Sequence, residues 1–590
     1  MRFHLLAAAV LISGCGDFVA GPPRPAPPKV TTRPQRAVEL SGGTLAIASG
    51  GRFAAVSDPE HDRVWIVDLS TGALHGKVEL PEGSRPQRIV EDGSGKLRVA
   101  LRGSGQVATV SPSQLAVIDV AEACPEVRGL TWNPEAKSLQ VACAGGELVT
   151  FKGSERSVVK PAADLRDVVQ AKGKTWVSTF RSAQLLQISA TGAVDATVTL
   201  PSVDLPSADG RPAAFVPAVA WRSVATPKGQ VVTVHQREVS GDIAAIQVPN
   251  APPAPAYYAN VCNSGIVRST VSITDEGKVT GSFDIAGVLP IDVAISPDGT
   301  ELSVAQPGSG FVQRVQLGAN SVGVSGGGLC APTSRDTSPL GEATGVAYTP
   351  QGDLIVHTRT PMAIWVLGRA NGAPTQQQIL LDGDPPQSEG HVLFHQAAGT
   401  SQAIACASCH PEGGDDGHVW RLLRKDVRTQ TLAGGVVETA PFHWNGELKS
   451  VQDVVTETFV GRMGGPAPTA AVVTALSDWM GGIPQRKVAA AAPQATIDLG
   501  QKVFNDTKVG CSSCHAGAHF TNNTTVDVGT GGEFQVPSLK GVSLRGPWMH
   551  DGCAKTLKDR FSECGGKSHG DVGHLVPAEL DALVAYLESI

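Results

Sequence analysis

From about residue 37 to 380 the chain alternates apolar and polar positions in short runs, each introduced by a turn. The clearest runs are FAAVSD (53–58), LRVALR (97–102), LQVACA (139–144), TWVSTF (175–180), VVTVHQ (231–236), LSVAQP (302–307) and LIVHTR (354–359). Alternation of this length predicts β-strands with one buried face. The turns ahead of the runs centre on Gly51, Gly95, Ala136, Gly173, Gly229, Gly299 and Gly352, so they recur at offsets of 44, 41, 37, 56, 70 and 53. A strand-rich unit of about 40–50 residues is the pattern of a β-propeller with about four strands per blade. Seven units predict seven blades over 37–384, with each run read as the first strand of its unit. The 70-residue offset marks an insertion, which contains APPAPAYYANVC and is expected to project as a loop.

After about residue 385 the alternation fades and helical stripes replace it. Leu580, Leu583, Val584 and Leu587 follow Pro577 at helical spacing, and Val472, Leu476 and Trp479 form a similar stripe. PQRKVAAAAPQAT (484–496) reads as a linker between them. The two parts are copies of one unit. CASCH (406–410) recurs as CSSCH (511–515), APFHWNG (440–446) as GPWMHDG (546–552), and ALSDWM (475–480) as ALVAYL (582–587). The expectation is two small all-α domains, 385–483 and 497–590.

Composition narrows the class. Of 590 residues 41% are hydrophobic and 17% charged, enough apolar material for several cores. A net charge of −7 with no basic stripe argues against nucleic acid as partner. At the N-terminus a short apolar run, Leu5 to Ile12, is too short to span a bilayer. It ends in ISGC (12–15), which resembles a bacterial lipobox. That resemblance implies a signal peptide over 1–14, a lipid on Cys15, and residence at the cell envelope in the periplasm or at the outer membrane. A Pro-rich stretch within 15–36 reads as a tether.

Two C-x-x-C-H motifs carry the chemistry: Cys406, Cys409, His410 and Cys511, Cys514, His515. The spacing is that of c-type haem attachment, where two thiols bond the haem and the histidine ligates iron. A zinc ribbon would need the pairs about 15–20 residues apart, and here they stand 105 apart. Two covalently bound haems are therefore expected. Of eleven cysteines, Cys15 and these four are accounted for. Cys124, Cys143, Cys262, Cys330, Cys553 and Cys564 remain, an even number that predicts three disulfides. Neighbour pairing would join 124 to 143, 262 to 330 and 553 to 564, although spacing alone does not settle connectivity.

VPSLKGVSLRGPWMHDGCAKTL (536–557) resembles the VPSLRNV and HDG stretch of the di-haem cytochrome c peroxidase and MauG-like family, and TAPFHWNG is a second version of it. ISPDGTELSVA and YTPQGDLIVHT resemble the YVTN and WD-like repeats of bacterial propellers. The first resemblance covers roughly 385–590 and implies two packed cytochrome c domains in electron-transfer contact. It also implies a sixth ligand after the HDG turn: Met463 for the first haem, and, moved by the repeat offset of 106, His569 for the second, with His574 and Met549 as rivals. His443 and His550 fall at the HDG turn, with a structural or functional role open. His418 and His519 are weaker ligand candidates. Methionine ligation raises potential relative to histidine, so the first haem should be the higher-potential one. The favoured function is electron transfer, with the propeller as docking platform. Peroxide-dependent oxidation, as in cytochrome c peroxidase, is the alternative, and a propeller-led binding protein with accessory haems is a third. No glutamate matches the family's catalytic one. The redox partner and any bridging Ca²⁺ stay open.

Overall fold

The computed structural model describes residues 37–590 apart from 207–211, 244–264, 318–332, 337–339, 371–372, 384–387, 399–403, 423–424, 488–491, 563 and 565–567. The lipobox, Cys15, the tether, APPAPAYYANVC, Cys262 and Cys330 lie outside the described residues. Among the described residues no helix is long and apolar enough to cross a membrane.

Seven antiparallel sheets follow one another at 45–79, 86–122, 127–159, 165–199, 203–285, 292–336 and 343–380. Six have four strands and the fifth has five. Inner strands of successive sheets pack on one another, and Leu45–Ala48 of the first sheet meets Ala343–Tyr348 of the last. The sheets therefore close into a ring, the architecture of a β-propeller.

Six of the runs found by alternation sit one strand further out than expected, and VVTVHQ lies in the third strand of the five-stranded sheet. Phe53–Asp58 pairs with Leu45–Ala48, Leu97–Leu101 with Pro86–Glu91, and Lys174–Thr179 with Leu165–Ala171. Each is the second strand of its sheet. Phe53–Asp58 is buried along its whole length, because it has a strand on either side and a neighbouring sheet on each face. The inner strands lack clean alternation because they carry arginines toward the middle of the ring: Arg88, Arg128, Arg166 and Arg222. Arg88 of the second sheet reaches Asp167 of the fourth at 3.3 Å.

The C-terminal part has two helical halves. Glu389–His395 packs on Ala470–Gly481, and Gln494–Phe504 packs on Pro577–Glu588. The Ser388 and Thr469 side chains cap two of these helices by accepting from His391 and Val472 N–H. Both crossings depend on a glycine. A Cβ at Gly390 would lie 2.1 Å from the Ala475 carbonyl oxygen, and one at Gly500 would lie 1.9 Å from that of Ala582. Gly390→Ala should destabilise the first half by about 1–3 kcal/mol through overpacking. Urea unfolding followed by tryptophan fluorescence would check it through Trp479, which lies in that contact.

The expected linker is partly pinned. The Lys487 N–H donates to Glu126 at 3.1 Å, its ammonium to the Gly103 carbonyl at 2.6 Å, and Arg486 to the Glu412 carbonyl at 3.0 Å. The second half already begins at Gln494. Disulfides join Cys124 to Cys143 and Cys553 to Cys564.

Candidate functional site

Each CxxCH motif forms a single helical turn, Cys406–Cys409 and Cys511–Ser513. All four cysteines are free thiols, available for another bond. The histidine after each motif is oriented in the same way. His410 Nδ1 donates to the Gly414 carbonyl at 3.2 Å, and His515 Nδ1 to that of Phe520 at 3.1 Å. A carbonyl only accepts, so Nδ1 holds the proton and Nε2 keeps its lone pair for a metal. Burial lowers the pKa of both rings, His515 to about 4, which keeps them in the neutral form that binds metal.

One cavity of about 1010 Å³ joins the two motifs. Its wall includes all four cysteines, His410, His515, Met463 and His569. The two sixth-ligand candidates named from the repeat offset, Met463 and His569, thus line the same cavity as the motifs. His515 and His569 face each other with ring centroids 6.2 Å apart and planes tilted by 34°. That gap admits a metal atom between two ring nitrogens at about 2 Å each. Burial, then Arg560 and His515, pushes His569 down to about 3, so it too is neutral. Among the described residues no three His, Cys, Asp or Glu side chains converge into a metal site. One ligand on each side instead suits an iron held in its own ring.

The charge in the cavity wall fits such a group. Arg428 and Arg545 line it, and the Nε of each is buried without a partner. Asp415 pairs with Arg428 at 3.1 Å and with the propeller's Arg181 at 2.9 Å. Burial pushes Arg545 down to about 10, and nearby Arg428 and Arg181 oppose its charge. This corner holds more guanidinium than carboxylate, and the two acidic side chains of a haem would balance it.

His443 and His550 are not equivalent. His443 and Met549 both adopt positive φ, 64° and 71°, at the 106 offset. Equivalent bridges, Phe442 to Leu448 and Trp548 to Ala554, close the two turns. Trp444 thus stands where the second copy has His550. The two rings lie 6.2 Å apart, and Phe534 stacks on His550 at 4.0 Å, all three lining the cavity. His574, His418 and His519 do not line it. His519 bonds Glu438 at 2.8 Å. Met549 does line it and stays a rival.

The propeller grips the first motif. Gln236 donates to the Ser408 carbonyl at 2.8 Å. The segment PEGGDDG (411–417) then enters the arginine ring. Glu412, 1% exposed, pairs with Arg102 at 2.8 Å, with Arg166, and with Arg486 at 3.5 Å. Burial alone would raise its carboxyl, but Arg102, Arg166 and Arg128 outweigh burial and hold it well below the usual range. Sequence reading missed this contact. Its signals are an acidic run directly after a haem motif and an arginine recurring in QRIV, VRGL, LRDV and AWRS.

No family model matches the chain. Over 338 residues it is 26% identical to hydrazine synthase subunit gamma of Kuenenia stuttgartiensis, covering 45% of this chain and 91% of that protein. Over 78 residues it is 33% identical to the methylamine utilization protein MauG of Methylophilus methylotrophus. That match takes in 10% of this chain and 23% of MauG, so the chain spans under a quarter of that relative. Among solved structures, Kuenenia stuttgartiensis hydrazine synthase aligns over 58% of this chain and 99% of its own, at a TM-score of 0.44 and 15% identity. With the geometry above, the sequence similarities support a β-propeller joined to a c-type cytochrome part.

Proposed function

We propose that the chain is a di-haem c-type cytochrome that transfers electrons at the bacterial cell envelope, with a seven-bladed propeller holding its first cytochrome domain. One haem is bonded by Cys406 and Cys409 and ligated by His410, the other by Cys511 and Cys514 and ligated by His515. The observation that carries this reading is the single cavity lined by both motifs, Met463 and His569. Bound haem supplies a one-electron Fe(III)/Fe(II) couple. The chain's residues set its terms. Met463 on one side and His569 on the other give unlike sixth ligands, and a thioether favours the reduced state more than an imidazole does. Arg428 and Arg545 anchor acidic groups, and the Trp444, Phe534 and His550 rings fill the wall of the shared cavity.

Optical and EPR spectra of the purified holoprotein test this assignment. Two low-spin haems are expected, one with the weak red absorption of His/Met ferric haem. Met463→His should remove that absorption and lower one midpoint potential selectively. An unchanged spectrum contradicts the ligand assignment.

Peroxide-dependent oxidation is a second reading. The MauG relative supports it, as do the carboxylates of Glu447, Glu533 and Asp551 in the cavity wall. It requires an iron with an open site and an acid or base beside it. High-spin ferric signal and peroxide turnover in the unmodified protein would favour it.

Lipid attachment at Cys15 completes the proposal. Cys15→Ala should move the protein from membranes to the soluble fraction, and persistent membrane association would contradict it.

A further inference from the structure

The propeller contributes more than a grip to the first motif. The strand Val231–Ser240 brings Glu238 against the segment after Cys409. Glu238 is fully buried, and neither carboxyl oxygen has a hydrogen-bond partner. Asp416, also fully buried, faces it with a second carboxyl. Asp416 accepts from the His418 N–H at 2.8 Å and from Trp420 Nε1 at 3.2 Å, while its own N–H donates to the Cys409 carbonyl at 3.1 Å. The acid pair is thus tied directly to a haem-bonding cysteine.

Geometry shows where a proton sits. His418 Nε2 lies 3.1 Å from the Val239 carbonyl, which only accepts, so Nε2 carries the ring proton. The lone pair on His418 Nδ1 then points to Glu238 Oε2 at 3.3 Å. Two lone pairs would repel, so Glu238 is the protonated partner. Asp416, with two N–H donors, is built to hold the charge. The other charged or titratable groups facing the pair are His418, Asp415, Arg428 and Cys409. Arg237, next on the strand, is turned away to Asp284 at 2.9 Å.

We infer that Glu238 and Asp416 form a proton-binding pair at the first haem, which takes one proton from solvent when an external one-electron donor reduces that haem. The inference rests on the di-haem reading above. The electron reduces Fe(III) to Fe(II), the proton goes to the Asp416 carboxylate, and no bond is broken in the chain. Burial, with a smaller push from Asp415, places Asp416 in the range where this exchange occurs. Burial raises Asp416 to about 7 against its hydrogen bonds, and burial with the Asp416 charge lifts Glu238 well above the usual carboxylate range. Extra electron density beside the pair raises its proton affinity further. Neither carboxyl belongs to the haem motifs, and one of the two comes from the propeller.

The test is a spectroelectrochemical titration of the holoprotein between pH 5.5 and 8.5, following each haem separately. In the parent protein the first haem should become harder to reduce as pH rises. The reduction equilibrium should approach a tenfold loss per pH unit near neutrality, or about 59 mV for one electron. The second haem should lack this slope. Asp416→Asn removes the carboxylate that takes the proton and should flatten the first haem's slope, whereas Glu238→Gln keeps a neutral neighbour beside the buried Asp416 and should retain it. Unchanged parent spectra and haem content in both variants would show that they fold. A flat parent curve, or a slope that survives Asp416→Asn, overturns the inference while the di-haem reading stands. A protein carrying haem only at Cys511 and Cys514 overturns both.

Discussion

Glu412→Ala is expected to cost about 3–5 kcal/mol, the usual penalty for removing one partner of a buried ion pair. The carboxyl is wholly enclosed and answers Arg102, Arg166 and Arg486. Its loss takes from buried Arg166 its carboxylate partner and leaves Arg102 with Glu126 alone. Urea unfolding should show a lower midpoint, and limited proteolysis should cut earlier near residues 484–496. Because Arg166 is a direct partner, Glu412→Ala with Arg166→Ala should cost less than the sum of the single changes. The pH dependence follows from the depressed carboxyl. Its stabilisation is full above the ordinary glutamate value of about 4.3 and is lost as pH falls through the lower folded value. Glu412→Gln should lack that acid-linked loss. An unchanged urea midpoint would mean that the propeller and the first cytochrome half are held elsewhere.

His569→Ala should convert the second haem from low to high spin while leaving the first untouched. The argument is geometric. His569 faces His515 across 6.2 Å. Removing it opens one side of the iron to water or peroxide. EPR should then show a high-spin ferric signal from one haem only, and added peroxide should be consumed faster than by the parent. Retained low-spin signal would hand the ligand role to Met549, which also lines the cavity. The paired Met463→His change must act on the other haem. If both substitutions disturb the same one, the repeat-based assignment fails.

Much of this was legible in the chain because it is local. Strand alternation, the blade-sized repeat, both CxxCH motifs and the helical stripes each depend on neighbours a few residues apart. The duplication added one long-range fact, since the same offset that joins the motifs placed Met463 and His569 in one cavity. Other features were hidden for physical reasons. The inner strands break alternation because Arg88 and Arg166 serve ion pairs rather than an apolar face. The bond between Arg166 and Glu412 spans 246 residues, and that between Arg102 and Glu412 spans 310. No periodicity reports such a contact. The one-residue shift of His443 from His550 was readable from the offset, but the shared histidine obscured it until backbone φ fixed the register. The Glu238 and Asp416 pair lies between two separately coded parts, so neither part announces it.

The most direct test of the central claim is the intact mass of the chain expressed with a cytochrome c maturation system. A mass exceeding the polypeptide by two haems is expected, with peptides 406–409 and 511–514 each carrying one through both cysteines. A mass increment of one haem or none, with either cysteine pair recovered as free thiols, would contradict it.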